Sequence, residues 1–186
     1  MRIVGGDLKG KKIFLPLNKD TRPLRDIVKE SIFNLIEHSK KINFKIKNSK
    51  VLDLFSGTGS FGFECISRGA EKVQFVEKNS NALKILKKNI SHLKIINKSK
   101  ITEKDCMKFL KAKENFNEKF HFIFIDPPYR DKEIDSITEI IKLNKILEKD
   151  GTIIIHRHKS DDVKLSDKIK IIDMRTYGIS KIIFAN

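Results

Sequence analysis

VLDLFSGTGSFGFE, residues 51–64, decides the fold. An apolar run of strand length stops at Asp53 and Leu54, a glycine-rich turn G-T-G-S-F-G follows at 57–62, and the chain resumes as an apolar helix. A strand that breaks on glycines and restarts as a helix is the opening of a βαβ unit. The G-x-G-x-x-G spacing is the form such a turn takes where backbone approaches an adenosine-containing cofactor. The glycines alone do not say which cofactor that is.

Outward from this turn, strands and helices alternate. Strand-like runs are KVLDL, KVQFVE, KSKITEKD, FHFIFID and GTIIIH, and the spacing predicts helices over residues 61–68, 82–92, 106–111 and 133–147. Continuous β-branched and aromatic runs such as FIFI and III are what parallel strands covered on both faces require. The expected fold is therefore α/β, a doubly wound and mostly parallel sheet with helices on both faces. The tail KIKIIDMRTYGISKIIFAN holds two strands with only TYG between them. That is too short for a crossover helix, so they are expected to pair as an antiparallel C-terminal hairpin.

Before the main domain, residues 1–45 read as a small extension, with residues 46–186 forming the α/β domain. Its opening, RIVGGDLKGKKIFLP, suggests a β-hairpin with strands at 3–4 and 11–15. A helix follows, opened by Pro23, with an apolar face expected from Leu24, Ile27, Val28, Ser31, Ile32 and Leu35. SKKINFKIKNSK is expected to be a basic link between the two parts.

In a doubly wound sheet, ligands sit beyond the carboxyl ends of the strands. Acids stand at those ends: Asp53, Glu77, Asp105 and Asp126. Asp53-x-Phe55-Ser56-Gly57-x-Gly59 places a carboxylate just before the glycine turn. A carboxylate there repels a pyrophosphate and attracts an ammonium group, which favours S-adenosylmethionine over a nicotinamide dinucleotide. Glu77 is the expected ribose acid. Asp105, followed by Cys106, reads as an acceptor at the adenine edge or as a helix N-cap, and both roles can hold together.

Asp126-Pro127-Pro128-Tyr129 carries the chemistry. Two prolines remove two backbone donors and stiffen the turn. What remains is acceptors, the Asp126 carboxylate and the Pro127 carbonyl, beside the flat ring of Tyr129. That set suits an exocyclic amine on a planar base. Acceptors that hold its hydrogens would aim the nitrogen lone pair at a sulfonium methyl, and Tyr129 would stack on a base drawn out of its helix or loop. No role as acid, base or ligand is assigned to His156, Arg157 or His158 in the following HRHK.

The chain has 186 residues and 39 Lys and Arg against 24 Asp and Glu, a net charge of +15, and a pI near 9.8. A polyanionic partner fits this balance, although a lysine-rich composition would also spread charge over the whole surface. Two cysteines provide neither a disulfide framework nor a zinc site, so no metal is expected. No apolar run approaches the roughly 18–20 residues that span a bilayer, and no secretory signal opens the chain. A cytoplasmic, monomeric protein without a membrane partner is expected.

VLDLFSGTGSFGFE, FVEKN and IDPPY in that order resemble the class I, Rossmann-like S-adenosylmethionine-dependent amino-methyltransferases. RIVGGDLKGKKI, TRPLRDIVKESIFNLI and RTYGISKIIF are similar to the start and end of the RsmD family, the 16S ribosomal RNA guanine-N2 methyltransferases. The resemblance implies methyl transfer to N2 of a guanine in small-subunit ribosomal RNA, at position 966 in standard numbering. The substrate would be 16S RNA within a small subunit or an assembly intermediate. It also implies that Asp53, Phe55, Ser56, Gly57, Gly59, Glu77, Asp105 and Cys106 hold the cofactor, and that Asp126, Pro127, Pro128 and Tyr129 form the catalytic pocket. The extension would then contact RNA phosphates through Arg2, Lys9, Lys11, Lys12, Arg22 and Arg25. Three other readings stay open: a DNA adenine-N6 or cytosine-N4 methyltransferase, a protein glutamine methyltransferase, and a non-catalytic RNA-binding module on the same fold.

Overall fold

The computed structural model describes residues 1–16, 24–112, 116, 118–128 and 133–186. Its helices are α1 (Asp26–His38), α2 (Ser60–Ser67), α3 (Ser80–Leu93), α4 (Cys106–Lys111) and α5 (Ile134–Leu143). Its strands are β1 (Lys50–Leu54), β2 (Lys72–Glu77), β3 (Ser99–Glu103), β4 (Phe120–Ile125), β5 (Leu147–His158), β6 (Ile171–Tyr177) and β7 (Ser180–Ala185). They form one sheet in the order β3-β2-β1-β4-β5-β7-β6. β1 to β5 run parallel, while β7 is antiparallel to both β5 and β6. The order reverses at β1, whose neighbours are β2 and β4, and that switch point is where such sheets bind ligands.

Alternation along the strands divides the core in two. Val51, Val73, Phe75, Phe122, Phe124, Ile154 and Ile182 face α1, α2 and α3. Leu52, Leu54, Val76, Ile123, Ile125, Ile153 and Ile155 face α4 and α5. An aromatic column ties the first layer together: Phe61 of α2 stacks on Phe124 of β4 at 3.9 Å and on Phe33 of α1 at 5.4 Å, with Arg68 capping Phe33. Cys65 and Cys106 lie in opposite layers and cannot pair.

Several expectations need correction. The opening hairpin reduces to one antiparallel bridge, Arg2 to Lys12. Its backbone is completed by Ile3 N to Lys11 O and Ile13 N to Met1 O rather than by two strands. α1 buries Val28, Lys29, Ile32, Phe33 and Ile36, so its inner face is rotated from the expected stripe, and Ile27 is left 64% exposed. The displacement has a local cause. Lys29 turns inward because its ammonium donates to Arg2 O at 2.7 Å and pairs with Asp26 at 3.3 Å. The basic link is packed against the core, with Ile42 and Ile46 buried and Phe44 edge-on to His121. α5 ends at Leu143, and residues 147–150 instead extend β5. The antiparallel C-terminal pair forms as expected.

The extension lies along α2. Val4 N and Gly5 N donate to the two oxygens of Glu64, at 2.9 and 2.7 Å, and Arg68 Nε donates to Glu64 Oε1 at 2.9 Å. Asp7 N and Leu8 N reach the carbonyl and hydroxyl of Ser67 at the C-terminal end of α2. At its other end Ser60 donates to the Met1 sulfur. Gly6 is required here because its φ is +74° and a Cβ would lie 1.9 Å from Ser67 O.

Candidate active site

The glycine turn connects β1 to α2, and its conformation explains its sequence. Gly57 and Gly59 have φ of +53° and +92°, a region that costs glycine little. A Cβ on Gly59 would strike Phe63 at 2.4 Å, and one on Gly62 would meet Phe75 at 2.2 Å, so Gly62 sets how closely α2 packs on β2. At Gly57 the same position meets nothing within 4 Å, which leaves room for a ligand. Phe55 holds a left-handed φ of +58° without being glycine, a strained backbone of the kind that persists where surrounding structure enforces it.

Strand register brings the acids to one edge. Asp53 sits opposite Phe75 and Phe124, Glu77 ends β2 opposite Glu103, and Asp126 follows Ile125. Asp53 is 1% exposed and its Oδ2 accepts from Gly62 N at 3.0 Å, anchoring the first turn of α2. Burial pushes its carboxyl well above the ordinary range, the Gly62 bond opposes this, and the charges of Asp126 and Glu77 add to it. With Asp53 on β1, Glu77 at the end of β2 and Asp126 directly after β4, the three carboxyl groups share one edge of the sheet.

Glu77 curls back on the turn. Its Oε2 accepts from Gly57 N at 2.8 Å, and its Oε1 accepts from Lys78 N and Asn79 N. Asp105 caps α4 by accepting from Met107 N and Lys108 N. Its second oxygen pairs with Lys78 Nζ at 2.9 Å, which holds the carboxyl below its usual range. The N-cap reading of Asp105 is thus realised. The Cys106 side chain is buried in the second core layer, so its backbone is what the edge can use. Ser56 donates its amide and hydroxyl to Val76 O. It holds the turn to β2.

Asp126, Pro127 and Pro128 leave β4 beside this cluster, with Pro127 buried and Pro128 exposed. Tyr129 lies outside the described residues, as does Arg22. Two residues to which no role was assigned reach this turn from β5. His156 Nδ1 bonds Asp126 Oδ1 at 2.8 Å, and Arg157 donates to Pro128 O at 3.2 Å. Only the β4–β5 register, Ile125 opposite Ile155, reveals that Asp126 and His156 are level. The matched lengths of FIFID and TIIIH were the available signal. His158 instead bonds Ser160.

The extension reaches the glycine turn through Asn89, which bonds both Phe14 and Thr58 O. Arg2, Lys9, Lys11, Lys12 and Arg25 are all exposed, and Arg2 pairs with Asp26 at 3.4 Å. Lys9 belongs to the turn docked at the C-terminal end of α2, away from the glycine loop. Among the described residues, no helix is long and apolar enough to cross a membrane.

Known proteins share this architecture. YlbH of Bacillus subtilis is 31% identical over 183 residues, covering 97% of this chain and 95% of its own. Ribosomal RNA small subunit methyltransferase D of Haemophilus influenzae is 29% identical, covering 96% and 90%. The solved structure of yhhF from Escherichia coli superposes with a TM-score of 0.83 at 24% identity, covering 100% and 96%. The family described as "Conserved hypothetical protein 95" matches residues 1–186, the whole length. With the glycine turn, the edge of acids and the Asp-Pro-Pro turn in place on this sheet, the chain belongs to that family, the RsmD-type methyltransferases.

Proposed function

We propose that the protein methylates the exocyclic N2 of a guanine in 16S ribosomal RNA, with S-adenosylmethionine as donor and the guanine at position 966 as target. The observation that carries this reading is the position of the Asp126-Pro127-Pro128 turn. It leaves β4 at the switch point, beside the Asp53 cluster and the glycine turn. The residues fit the donor. Three carboxyl groups meet at this edge, and a ligand with an ammonium and a sulfonium complements them. The open space at Gly57 admits its backbone-hugging portion. Asp53 and residues 55–59 would hold the methionine end, Glu77 the ribose, and Asp105 with the Cys106 backbone the adenine.

When bound, S-adenosylmethionine supplies a methyl on a sulfur that leaves with the bonding electrons. The chain's own work is orientation. The Asp126 carboxylate and the Pro127 carbonyl accept from the amine hydrogens and turn its lone pair outward, and the carboxylate offsets positive charge as it develops on nitrogen. The proton lost from nitrogen passes to Asp126 and on to water. RNA rather than protein or DNA is supported by the charge of +15 and by relatives named ribosomal RNA small subunit methyltransferase D. Arg2, Lys9, Lys11, Lys12 and Arg25 would track phosphates. In this reading residues 1–45 are the RNA-contacting extension.

The test uses small ribosomal subunits from cells lacking the enzyme, methyl-labelled S-adenosylmethionine, and digestion of the RNA to nucleosides. Label is expected in N2-methylguanosine, falling at least 100-fold with Asp126→Ala. Label in another nucleoside, or only in protein, overturns the reading.

A further inference from the structure

We propose that His156 is a positioning residue for methyl transfer: it fixes one oxygen of Asp126 so that the other faces the amine. This rests on the reading of Asp126 given above. His156 is 7% exposed, on the face of β5 that Ile154 shares with α2. Its ring is held at both nitrogens, Nδ1 by Asp126 Oδ1 at 2.8 Å and Nε2 by Ser180 Oγ at 3.0 Å. An ionised carboxylate can only accept, so Nδ1 carries the proton in that bond. In the neutral ring Nε2 is then the acceptor, and the Ser180 hydroxyl donates to it. A hydroxyl can donate or accept, so the aspartate selects the tautomer and the serine completes the ring's hydrogen bonding.

The chemistry favours this partner over the alternatives. Asp126 stands among like charges, close enough to Asp53 to raise that group's pKa. A lysine or arginine on Oδ1 would neutralise the carboxylate and weaken it as an acceptor. Water would leave it free to rotate. The imidazole gives a directional bond and removes the carboxylate's rotational freedom. Arg157, 5% exposed and pointing to the opposite face, holds the Pro128 carbonyl and pairs with Asp161 at 2.9 Å. The turn is therefore gripped from both faces of the sheet by adjacent residues of one strand.

Two measurements test this. In the first, kcat and KM are compared for wild type, His156→Leu and His156→Asn, with S-adenosylmethionine affinity measured by calorimetry. The leucine fills the space without a donor, while the asparagine amide replaces Nδ1–H. We expect kcat to fall about 10- to 100-fold for leucine, as a misaligned reacting group costs. Cofactor affinity should stay unchanged, and asparagine should restore most of the rate. A leucine variant with wild-type kcat, or an asparagine variant as slow as leucine, overturns the proposal. The second measurement needs no RNA and no folded His156 variant. Nitrogen-15 NMR of the wild-type histidine side chains should show His156 protonated at Nδ1, and Asp126→Ala should abolish that preference. A His156 protonated at Nε2 in the wild type overturns the proposal, even if guanine methylation is confirmed. If the wild type instead fails to methylate RNA, the functional reading falls while the tautomer still decides the contact.

Discussion

Replacing Glu64 by alanine should unfasten the N-terminal extension from the methyltransferase sheet. Glu64 is fully buried, in the middle of α2. It accepts from Val4 N, Gly5 N and Arg68 Nε, at 2.9, 2.7 and 2.9 Å. Hydrogen bonds to a charged acceptor contribute about 1.5–3 kcal/mol each, so the two backbone bonds alone represent roughly 3–6 kcal/mol. Removing one partner of a buried charged pair costs about 3–5 kcal/mol by a separate line of measurement. Both routes converge on about 4 kcal/mol, and at roughly 2–4 °C per kcal/mol for a chain of this size the melting temperature should fall by about 8–16 °C. Glu64→Gln keeps one acceptor oxygen and should lose about half as much. Urea denaturation followed by circular dichroism gives the free energies, and hydrogen exchange locates the loss. The amides of Val4 and Gly5 should exchange faster in the variants, while those of β1 and β4 change only with global stability. A loss below about 1 kcal/mol with Val4 and Gly5 still protected would refute the reasoning, because half-buried donors do not lose a buried charged acceptor so cheaply.

Two further outcomes follow from the site. Asp53 holds its proton more tightly in the folded chain than in the unfolded one, because burial raises its pKa. Its contribution to stability is therefore complete below the unfolded pKa and is lost as pH rises through the higher folded value. Asp53→Asn, which keeps an acceptor for Gly62 N, should flatten that slope. It should raise the melting temperature at neutral pH while weakening binding of S-adenosylmethionine, and thermal melts across pH with calorimetry check both. Gly62→Val places a branched side chain where even a Cβ would lie 2.2 Å from Phe75. Overpacking should cost about 1–3 kcal/mol in denaturant titration and reduce cofactor affinity through displacement of α2.

The sequence disclosed what is local and hid what is distant. The glycine turn, the four acids at strand ends and the Asp-Pro-Pro turn were legible because each is a short run whose conformation follows from its own residues. α4 was placed at its true bounds because Asp105 is both a strong cap and the start of its apolar pattern. The inner face of α1 was misread because Lys29 looks like surface and is buried. Its partners are a carbonyl of residue 2 and the nearby Asp26. The opening hairpin looked like strands because its ends are apolar, yet Ile3 and Ile13 serve the core and the backbone makes a single bridge. His156 was passed over for the same physical reason as Lys29: its partner lies 30 residues away and becomes a neighbour only through parallel register.

The position of β7 has a consequence for how the enzyme is made. It lies between β5 and β6, although it follows both in sequence, and Ser180 is its first residue. A chain emerging from the ribosome N-terminus first exposes the glycine loop, Asp126 and His156 before this strand exists. Until β7 arrives, β6 has no sheet neighbour and the His156 ring lacks its Nε2 partner. Under the proposal above, the alignment of Asp126 through His156 therefore waits for the final strand to insert. A nascent or truncated chain would carry both Asp126 and His156 before the ring is held at both nitrogens.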